Sequence, residues 1–129
     1  ASSAMIHLAR TRYPKGDWRV ADMRALDLTE RFDGILGWDS FFHLTGDEQR
    51  ALLPRMAGHL RPGGLLMLTV GPGDGEVGGH VGDDPVYHAS LSIDEYGLLL
   101  DRAGMALLDF VAEDPGCHGR SVLLAQRAA

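Results

Sequence analysis

Residues 31–70 constrain the fold more than any other part of the chain. A short apolar run, Phe32–Trp38, precedes an amphipathic stretch, and a nearly wholly apolar run, Leu65–Val70, follows it. The stretch between them opens on Thr45–Glu48, whose Thr-x-x-Glu spacing is the capping box that begins helices. A helix of about 14 residues is roughly 21 Å long, and a six-residue strand spans about 20 Å. The helix, ended by Pro62–Gly64, can therefore return the chain to its starting edge, and we expect a βαβ unit with parallel strands.

The polar residues of this unit gather at one end of it. Small molecules bind such sheets beyond the carboxyl ends of the parallel strands. Trp38, Asp39 and Ser40 follow the first strand, and a glycine-rich segment follows Val70 at the end of the second. We therefore expect the functional site at this end of the sheet.

The N-terminal part of the chain has a helix before any strand. Ser2 or Ser3 can cap that helix, and a strand is expected at Trp18–Ala21. The segment from Gly71 to Gly82 has too many glycines for the interior of a strand or helix, so we expect a long mobile loop there.

The C-terminal part contains the last elements. A second Ser-x-x-Glu capping box, Ser92–Glu95, opens a helix that Gly104 ends. Strands are expected at Met105–Val111 and Ser121–Gln126, and the turn between them, Glu113–Arg120, makes the pair antiparallel.

Composition limits the classes of function. The chain has 129 residues, enough for one domain with its own core. Its net charge of −6 argues against nucleic acid or an anionic membrane as the main partner. No apolar run approaches the roughly 20 residues that cross a bilayer, and no signal-peptide pattern is visible. The single cysteine, Cys117, cannot form an intramolecular disulfide, so the cytoplasm is the expected compartment.

Four segments in order resemble a class I S-adenosylmethionine-dependent methyltransferase. They are Trp18–Met23, Phe32–Ile35, His43-Leu44 and Leu60–Gly64. The resemblance spans nearly the whole chain and implies an α/β fold, a Rossmann-like, mostly parallel sheet with an antiparallel last strand. It implies methyl transfer from S-adenosylmethionine to a small-molecule acceptor. Residues 1–129 then form a single methyltransferase-like domain, the C-terminal two-thirds of the usual fold.

The chain departs from the family at its start. That fold opens with a strand, a Gly-x-Gly-x-Gly turn, a helix and a second strand ending in an acidic residue, and none of these is present. Gly71–Gly79 contains Gly-x-Gly-x-Gly, but it follows the wrong strand and leads into no helix, so we interpret it as a lid or substrate loop. We therefore expect an N-terminally truncated fold that binds the cofactor weakly or not at all by itself.

The missing strand would leave Phe32–Trp38 at an open sheet edge. Unpaired N–H and C=O groups on such an edge favour association. We expect a homodimer or a separately supplied N-terminal fragment there. A non-catalytic, truncated methyltransferase-like module that associates through this edge is the alternative function. Another Rossmann-type enzyme with a nucleotide cofactor is a third possibility.

The resemblance assigns cofactor contacts to five residues. It implies that the Asp22 carboxylate accepts from the adenine amino group and that the Met23 N–H donates to the ring nitrogen, although Asp22 could be an ordinary turn residue. Gly37, Trp38 and Asp39 would lie beside the sulfonium and its methyl group. A tryptophan face attracts a cation, but Trp38 could equally cap the core, and Asp39 could cap the next turn or bind the cofactor's amino group.

The remaining candidates concern the acceptor. His43 is the candidate general base, because histidine titrates near neutrality, but it could be structural. Many methyl transfers need only alignment of the reacting atoms, so a base is not required. Ser40, Tyr87 and His88 are expected to contact the substrate. No set of cysteine, histidine and acidic residues has the count and spacing of a zinc site, so we expect no metal.

Overall fold

A computed structural model describes residues 2–81 and 83–129. Its three α-helices and six β-strands are α1 Ser3–Arg12, β1 Phe32–Gly37, α2 Gly46–Gly58, β2 Leu60–Val70, β3 Gly75–Val81, β4 Asp84–Ser90, α3 Ile93–Arg102, β5 Met105–Asp114 and β6 Arg120–Arg127. Short 3₁₀ turns are formed by Met23–Ala25, Phe41–His43 and Pro115–Cys117.

The main sheet has the strand order β1-β2-β6-β5. β1 and β2 are parallel, with Gly34 opposite Leu65 and Gly37 opposite Leu68. β6 is antiparallel to both β2 and β5, so β1, β2 and β5 run one way and β6 runs the other. The Rossmann-like, mostly parallel sheet with an antiparallel last strand is therefore confirmed.

The central βαβ unit forms with the predicted cap. The Thr45 side chain accepts from the Glu48 N–H, and the Glu48 carboxylate accepts from the Thr45 N–H. The helix ends at Gly58, earlier than predicted, because β2 already begins at Leu60, which pairs with Phe32. Pro62–Gly64 therefore belongs to the strand and does not end the helix.

The core lies between the main sheet and helices α2 and α3. Its fully buried apolar side chains come from both layers. They include Phe41, Leu52, Leu53, Leu66, Leu68, Tyr96, Leu100 and Leu123, each no more than 1% exposed. Removing any of these side chains would leave a cavity, at a cost of about 2–5 kcal/mol for leucine to alanine.

The strand predicted at Trp18–Ala21 is wrong. These residues have no partner in a sheet ladder, and the two-stranded and four-stranded sheets do not include them. α1 holds them instead, since Arg10 donates to the Trp18 carbonyl oxygen at 2.7 Å and the Trp18 indole donates to the Tyr13 carbonyl oxygen at 2.8 Å. An apolar run forms a strand only where a neighbouring strand pairs with it.

The loop predicted after Val70 is only partly correct. Residues 71–74 lie outside the strands, but β3 then pairs with β4 in an antiparallel hairpin, with Gly75 opposite Ser90 and Gly78 opposite Tyr87. Gly82, at the end of the predicted loop, lies outside the described residues. The glycines of β3 lower its intrinsic strand preference, but its ladder needs only main-chain groups, which every glycine has.

The second predicted helix has its expected ends. The Ser92 hydroxyl accepts from the Glu95 N–H at 3.1 Å, while the Glu95 carboxylate pairs with Arg50 on α2 instead of completing the box. Gly104 follows the helix with φ +76°, the left-handed conformation that makes glycine favourable at this position.

Candidate functional site

The end of β1 is the first part of the site, and the packing beneath it fixes its direction. Gly37 is buried, and a Cβ atom on it would lie 2.7 Å from a methyl carbon of Leu68 on β2. The chain then turns, and the Asp39 N–H donates to the Thr69 hydroxyl at 2.7 Å. Gly37 therefore allows β1 and β2 to pack closely, a structural role that differs from the cofactor contact implied by the resemblance.

An ion pair joins the end of β1 to the start of β6. The two Asp39 carboxylate oxygens accept from the Arg120 guanidinium at 2.6 and 2.7 Å. The same guanidinium lies 5.7 Å from the centre of the Trp38 ring. Arg120 holds the pKa of the Asp39 carboxyl below its usual value of 3.8. We call Trp38, Asp39 and Arg120 the β1 clamp.

Arg120 is the functional candidate that sequence reasoning missed. It lies 81 residues after Asp39 in the chain, at the position where the predicted turn ends. No motif surrounds it. Its position follows only from the strand order, because β6 returns antiparallel to β2 and begins where β1 ends. A prediction that the last strand pairs with β2 at the centre of the sheet would have been needed to find it.

Unusual backbone conformations gather around Arg120. Asp39, Glu113 and His118 are the non-glycine residues with positive φ in the described part of the chain, at 51°, 49° and 55°. Glu113 donates its N–H to the Ser121 hydroxyl at 3.0 Å, and Arg120 donates to the Cys117 carbonyl oxygen at 3.1 Å. Such conformations are costly for ordinary side chains and often occur at functional sites.

The second part of the site is an aromatic and histidine cluster. The His43 Nδ1 lies 3.0 Å from the Tyr87 carbonyl oxygen. The Phe42 ring stacks on the His88 ring with 4.7 Å between centroids, and His43 lies 4.9 Å from His88. The structure thus brings together three of the predicted residues, His43, Tyr87 and His88. Because a carbonyl only accepts, Nδ1 of His43 carries the hydrogen, and Nε2 is left as the basic nitrogen.

A cavity of about 670 Å³ lies between these two parts. The glycine-rich segment and the first residues of β3 form one wall, and the end of β4 and the start of β6 form others. Its lining includes one residue of the clamp, two of the aromatic cluster and three carboxylates. These are Arg120, Phe42, His88, Asp74, Glu76 and Glu113.

Two predicted substrate residues, Ser40 and Tyr87, are not among the residues that line the cavity. Ser40 is half-buried and precedes the Phe41–His43 turn without a capping hydrogen bond from its side chain. His43 contacts the wall residue His88 but is itself outside the lining. Burial beside Glu76 raises the pKa of the Tyr87 phenol.

Asp22 and Met23 lie in a different environment from Trp38. The Asp22 carboxylate accepts from the Arg24 N–H at 3.0 Å and pairs with the Arg24 side chain, which lowers the Asp22 pKa to about 2. Arg24 also reaches Glu48 on α2 at 3.1 Å. The contacts of Asp22 are therefore with Arg24 and those of Trp38 with Arg120, so the described structure does not join the two predicted cofactor positions through a contact.

The described part of the chain offers neither a metal site nor a membrane-spanning helix. Within residues 2–81 and 83–129, no group of three or more histidine, cysteine or acidic side chains could hold a metal ion. In the same part of the chain, no helix combines the length and apolar character that crossing a membrane requires.

Comparison with protein families gives one match in the N-terminal half. Residues 1–64 match the family described as methyltransferase domain. This region contains β1, the Trp38 and Asp39 side chains of the clamp, and α2. The second half of the fold, including Arg120, lies outside this match.

Solved structures share the fold over the whole chain. The amino pentose methyltransferase CalS10 from Micromonospora echinaspora is 23% identical, with 99% of this chain and 72% of that chain covered at a TM-score of 0.78. DesVI from Streptomyces venezuelae is 18% identical, with 99% and 72% covered at 0.73. The CcbJ methyltransferase from Streptomyces caelestis is 17% identical, with 100% and 73% covered at 0.73. At these identities the likeness shows the fold.

One curated protein that matches a short part of the chain is not named as a methyltransferase. The bifunctional protein GlmU of Hyphomonas neptunium is 39% identical over 49 residues, which are 38% of this chain and 11% of that protein. The match thus spans about a tenth of the length of its relative, and we infer no activity from it.

Proposed function

We propose that the chain transfers a methyl group from S-adenosylmethionine to a small-molecule acceptor. The premise is that it shares the fold of solved methyltransferases and that residues 1–64 match the family described as methyltransferase domain. The observation that carries this proposal is the cavity of about 670 Å³ beside the β1 clamp. Pockets of roughly 300–1,000 Å³ hold small molecules. Arg120 belongs to both the clamp and the cavity lining, so a donor at the clamp and an acceptor in the cavity would be neighbours.

The residues at the clamp suit a positively charged donor. S-Adenosylmethionine, when bound, supplies a reactive methyl group on a sulfonium, and it also carries an ammonium group. The Trp38 ring is 40% exposed and the Asp39 side chain is also 40% exposed. An indole face and a carboxylate both attract cations. These two side chains would hold the methionine part of the cofactor, and Asp22 and Met23 remain our candidates for its adenine.

The residues beside the cavity suit a nucleophilic acceptor. His43, oriented by the Tyr87 carbonyl oxygen, presents Nε2 as a base that could accept a proton from the acceptor. His88 and Phe42 offer ring faces to the acceptor, and Tyr87 and Ser40 remain candidates for contacts with it. CalS10 acts on an amino pentose, as its name states, which supports a small acceptor for this chain as well. The cytoplasm is the compartment we propose, because the single cysteine fits a reducing environment.

Calorimetry with S-adenosylmethionine tests the proposal. A Kd in the micromolar range, with transfer of a labelled methyl group to one member of a small-molecule panel, would support the enzyme. Replacing Asp22 by alanine should weaken binding severalfold, because a hydrogen bond to the adenine amino group is lost. Asp17→Ala is the matched control, since Asp17 also pairs with a neighbouring arginine, Arg19, at 2.7 Å. Absence of any heat of binding at millimolar cofactor would contradict the enzyme.

The edge of β1 supports a second candidate function, a non-catalytic module. Among the described residues, β1 pairs only with β2, so its other edge offers N–H and C=O groups to a partner. A shallow apolar pocket of about 240 Å³ lies beside this edge, lined by Leu26, Leu28, Phe32, Gly34, Ile35 and His59. The partner we propose is a second copy or an N-terminal methyltransferase fragment that adds a strand.

Hydrogen exchange tests whether copies of the chain associate through the edge of β1. If copies pair through β1, the amides of residues 32–37 should exchange more slowly as the protein concentration rises, while those of the β3–β4 hairpin should not change. Light scattering on the same samples should show a dimer. A monomer with concentration-independent exchange would contradict self-association through this edge.

A further inference from the structure

The β1 clamp has a property that the proposed methyl transfer does not explain. Both cation-attracting groups at the end of β1 are already used by a cation of the chain itself. The Arg120 guanidinium occupies the two Asp39 carboxylate oxygens at 2.6 and 2.7 Å. It also lies over the Trp38 ring at 5.7 Å. A second cation cannot share these groups at the same distances, because two like charges repel strongly when they are close.

We propose that Trp38 and Asp39 form a cation site which Arg120 occupies, and that a cationic ligand must displace Arg120 to bind there. The competition with S-adenosylmethionine rests on the proposed function, but the occupation of the site by Arg120 does not. The ligand class is a compact organic cation, a sulfonium or a quaternary ammonium, which an indole face and a carboxylate recognise together.

The exposure of the clamp makes this displacement feasible. The Arg120 and Asp39 side chains are 32% and 40% exposed. Ion pairs at such positions contribute little to stability, because water and salt screen them. Arg120 also keeps a further bond to the Cys117 carbonyl oxygen at 3.1 Å, so the guanidinium has a second contact when it leaves Asp39. Arg120 thus acts as a weak internal competitor.

The position of Arg120 indicates where its guanidinium moves when a cation binds at Trp38 and Asp39. Arg120 lies in the lining of the cavity as well as in the clamp. When a cation takes the clamp, the guanidinium moves away from Asp39, and the cavity is the neighbouring space it already borders. Occupation of the clamp is therefore coupled to the charge inside the cavity, where Asp74, Glu76 and Glu113 lie.

Trimethylsulfonium is the probe that tests the site without the rest of the cofactor. The chain has two tryptophans, Trp18 and Trp38, so its ¹H–¹⁵N spectrum has two indole N–H signals, and Trp18 is an internal control. We expect trimethylsulfonium to shift the Trp38 signal and not the Trp18 signal. tert-Butanol, a neutral molecule of similar shape, should shift neither. Equal shifts with the cation and the alcohol would overturn the proposal.

Substitutions at Arg120 test the competition. Arg120→Ala and the bulkier Arg120→Met should each strengthen trimethylsulfonium binding about two- to fivefold, the range of a cation–π contact at an exposed ring. Arg120→Lys keeps the charge and should bind more weakly than these two. Arg50→Ala is the control, since it removes one positive charge from an exposed pair with Glu95, and it should leave the affinity unchanged. Affinity that is equal in the wild type and in both neutral variants, or lower in them, overturns the proposal.

A pair of cofactor forms separates this inference from the proposed function. S-Adenosylmethionine carries the sulfonium charge, and S-adenosylhomocysteine lacks both that charge and the methyl group that is transferred but keeps the remaining groups. Arg120→Ala should raise the ratio of their affinities, in favour of the sulfonium form, by the same factor. A merely structural role for Arg120 would change both affinities equally and leave the ratio constant, which overturns the competition. If neither form binds, the proposed function fails, while the trimethylsulfonium shift still decides the site.

Discussion

Two groups of polar residues each contribute one residue, Ser90 and Arg120, to the lining of the cavity, and they differ in almost every physical property. On one side, Gln49, Ser90 and Tyr96 form a network that is 0%, 6% and 1% exposed. On the other side, Asp39 and Arg120 form an ion pair that is 40% and 32% exposed. The first group is uncharged and shielded from water, and the second is charged and exposed to water. Hydrogen bonds are costly to lose where water cannot replace them, so the buried network should stabilise the fold and the clamp should be free to change partners.

The buried network connects three elements. Tyr96 on α3 donates its hydroxyl to the Gln49 Oε1 on α2 at 2.6 Å. The Gln49 amide nitrogen donates to the carbonyl oxygens of Leu44 and Ala89 at 3.0 and 2.8 Å. Within the described part of the chain, no buried side-chain nitrogen or oxygen atom lacks a hydrogen-bond partner. This network therefore holds the wall of the cavity in place.

The largest expected effect is that of Gln49→Leu. The substitution keeps a similar volume but leaves the carbonyls of Leu44 and Ala89 without a donor. We expect the free energy of unfolding to fall by about 3 kcal/mol, measured by urea denaturation. Gln126→Leu is the control, because half-buried Gln126 makes one bond, to the Gly63 carbonyl oxygen at 3.0 Å. Similar losses at both positions would remove the contrast between buried and exposed polar groups.

Tyr96→Phe should have the next largest effect. It removes the hydroxyl that contacts Gln49 and accepts from the Leu91 N–H at 3.1 Å, and we expect a loss of about 2 kcal/mol in the same assay. Tyr13, which is 66% exposed, provides the control substitution Tyr13→Phe, expected to leave the midpoint unchanged. A stable Tyr96→Phe variant would mean that the network contributes by packing alone.

Ser90→Ala should cost less. The Ser90 hydroxyl accepts from the Gly71 N–H at 3.1 Å and donates to the Leu91 carbonyl oxygen at 3.0 Å. Gly71 also borders the cavity, so water can partly replace its lost partner, and we expect a loss of about 1 kcal/mol. Exchange of the Gly71 amide should become faster in this variant. Unchanged exchange at Gly71 would show that the bond does not protect this amide.

The two groups should respond to opposite ends of the pH scale. Arg120 lowers the pKa of Asp39, so the contribution of the pair is present above pH 3.8 and lost as the pH falls through the lower folded value. Burial raises the pKa of Tyr96 above 10.0, so the contribution of its neutral form is present below pH 10 and lost as the pH rises through that region. In thermal melts from pH 2 to 11, Tyr96→Phe should lack the alkaline arm, whereas Arg120→Ala should change the acid arm only slightly, because the Asp39–Arg120 pair is exposed.

The smallest effect is expected for Arg120→Ala at neutral pH. The pair is exposed and screened, so the midpoint of urea unfolding should stay within experimental error of the wild type. A large loss of stability would contradict our separation of the two groups and would make Arg120 a structural residue. Repeating the measurement in 1 M NaCl should give the same result for both proteins.

Local signals in the sequence predicted much of the fold. The Thr45 and Glu48 cap, the left-handed Gly104 and the final hairpin each depend on residues close together in the chain, and each was confirmed. Such features follow from spacing alone because the interacting groups are a few residues apart.

Features that depend on distant partners could not be predicted in this way. The strand expected at Trp18–Ala21 failed because pairing with another strand, and not composition, decides that state. The β3–β4 hairpin was missed because glycine content lowers strand preference but does not prevent pairing. Arg120 was missed because no local pattern marks a residue whose partner lies 81 positions away.

The distance in sequence between Asp39 and Arg120 also has a consequence while the chain is being synthesised. A ribosome adding about 5–20 residues per second needs roughly 4–16 s to proceed from Asp39 to Arg120, which are 81 residues apart. During that interval a nascent chain carries the indole and the carboxylate without their guanidinium, so a cation in solution meets no internal competitor. Arg120 is therefore the last part of the clamp to be synthesised, and the order of synthesis leaves the cation site open to a ligand until then.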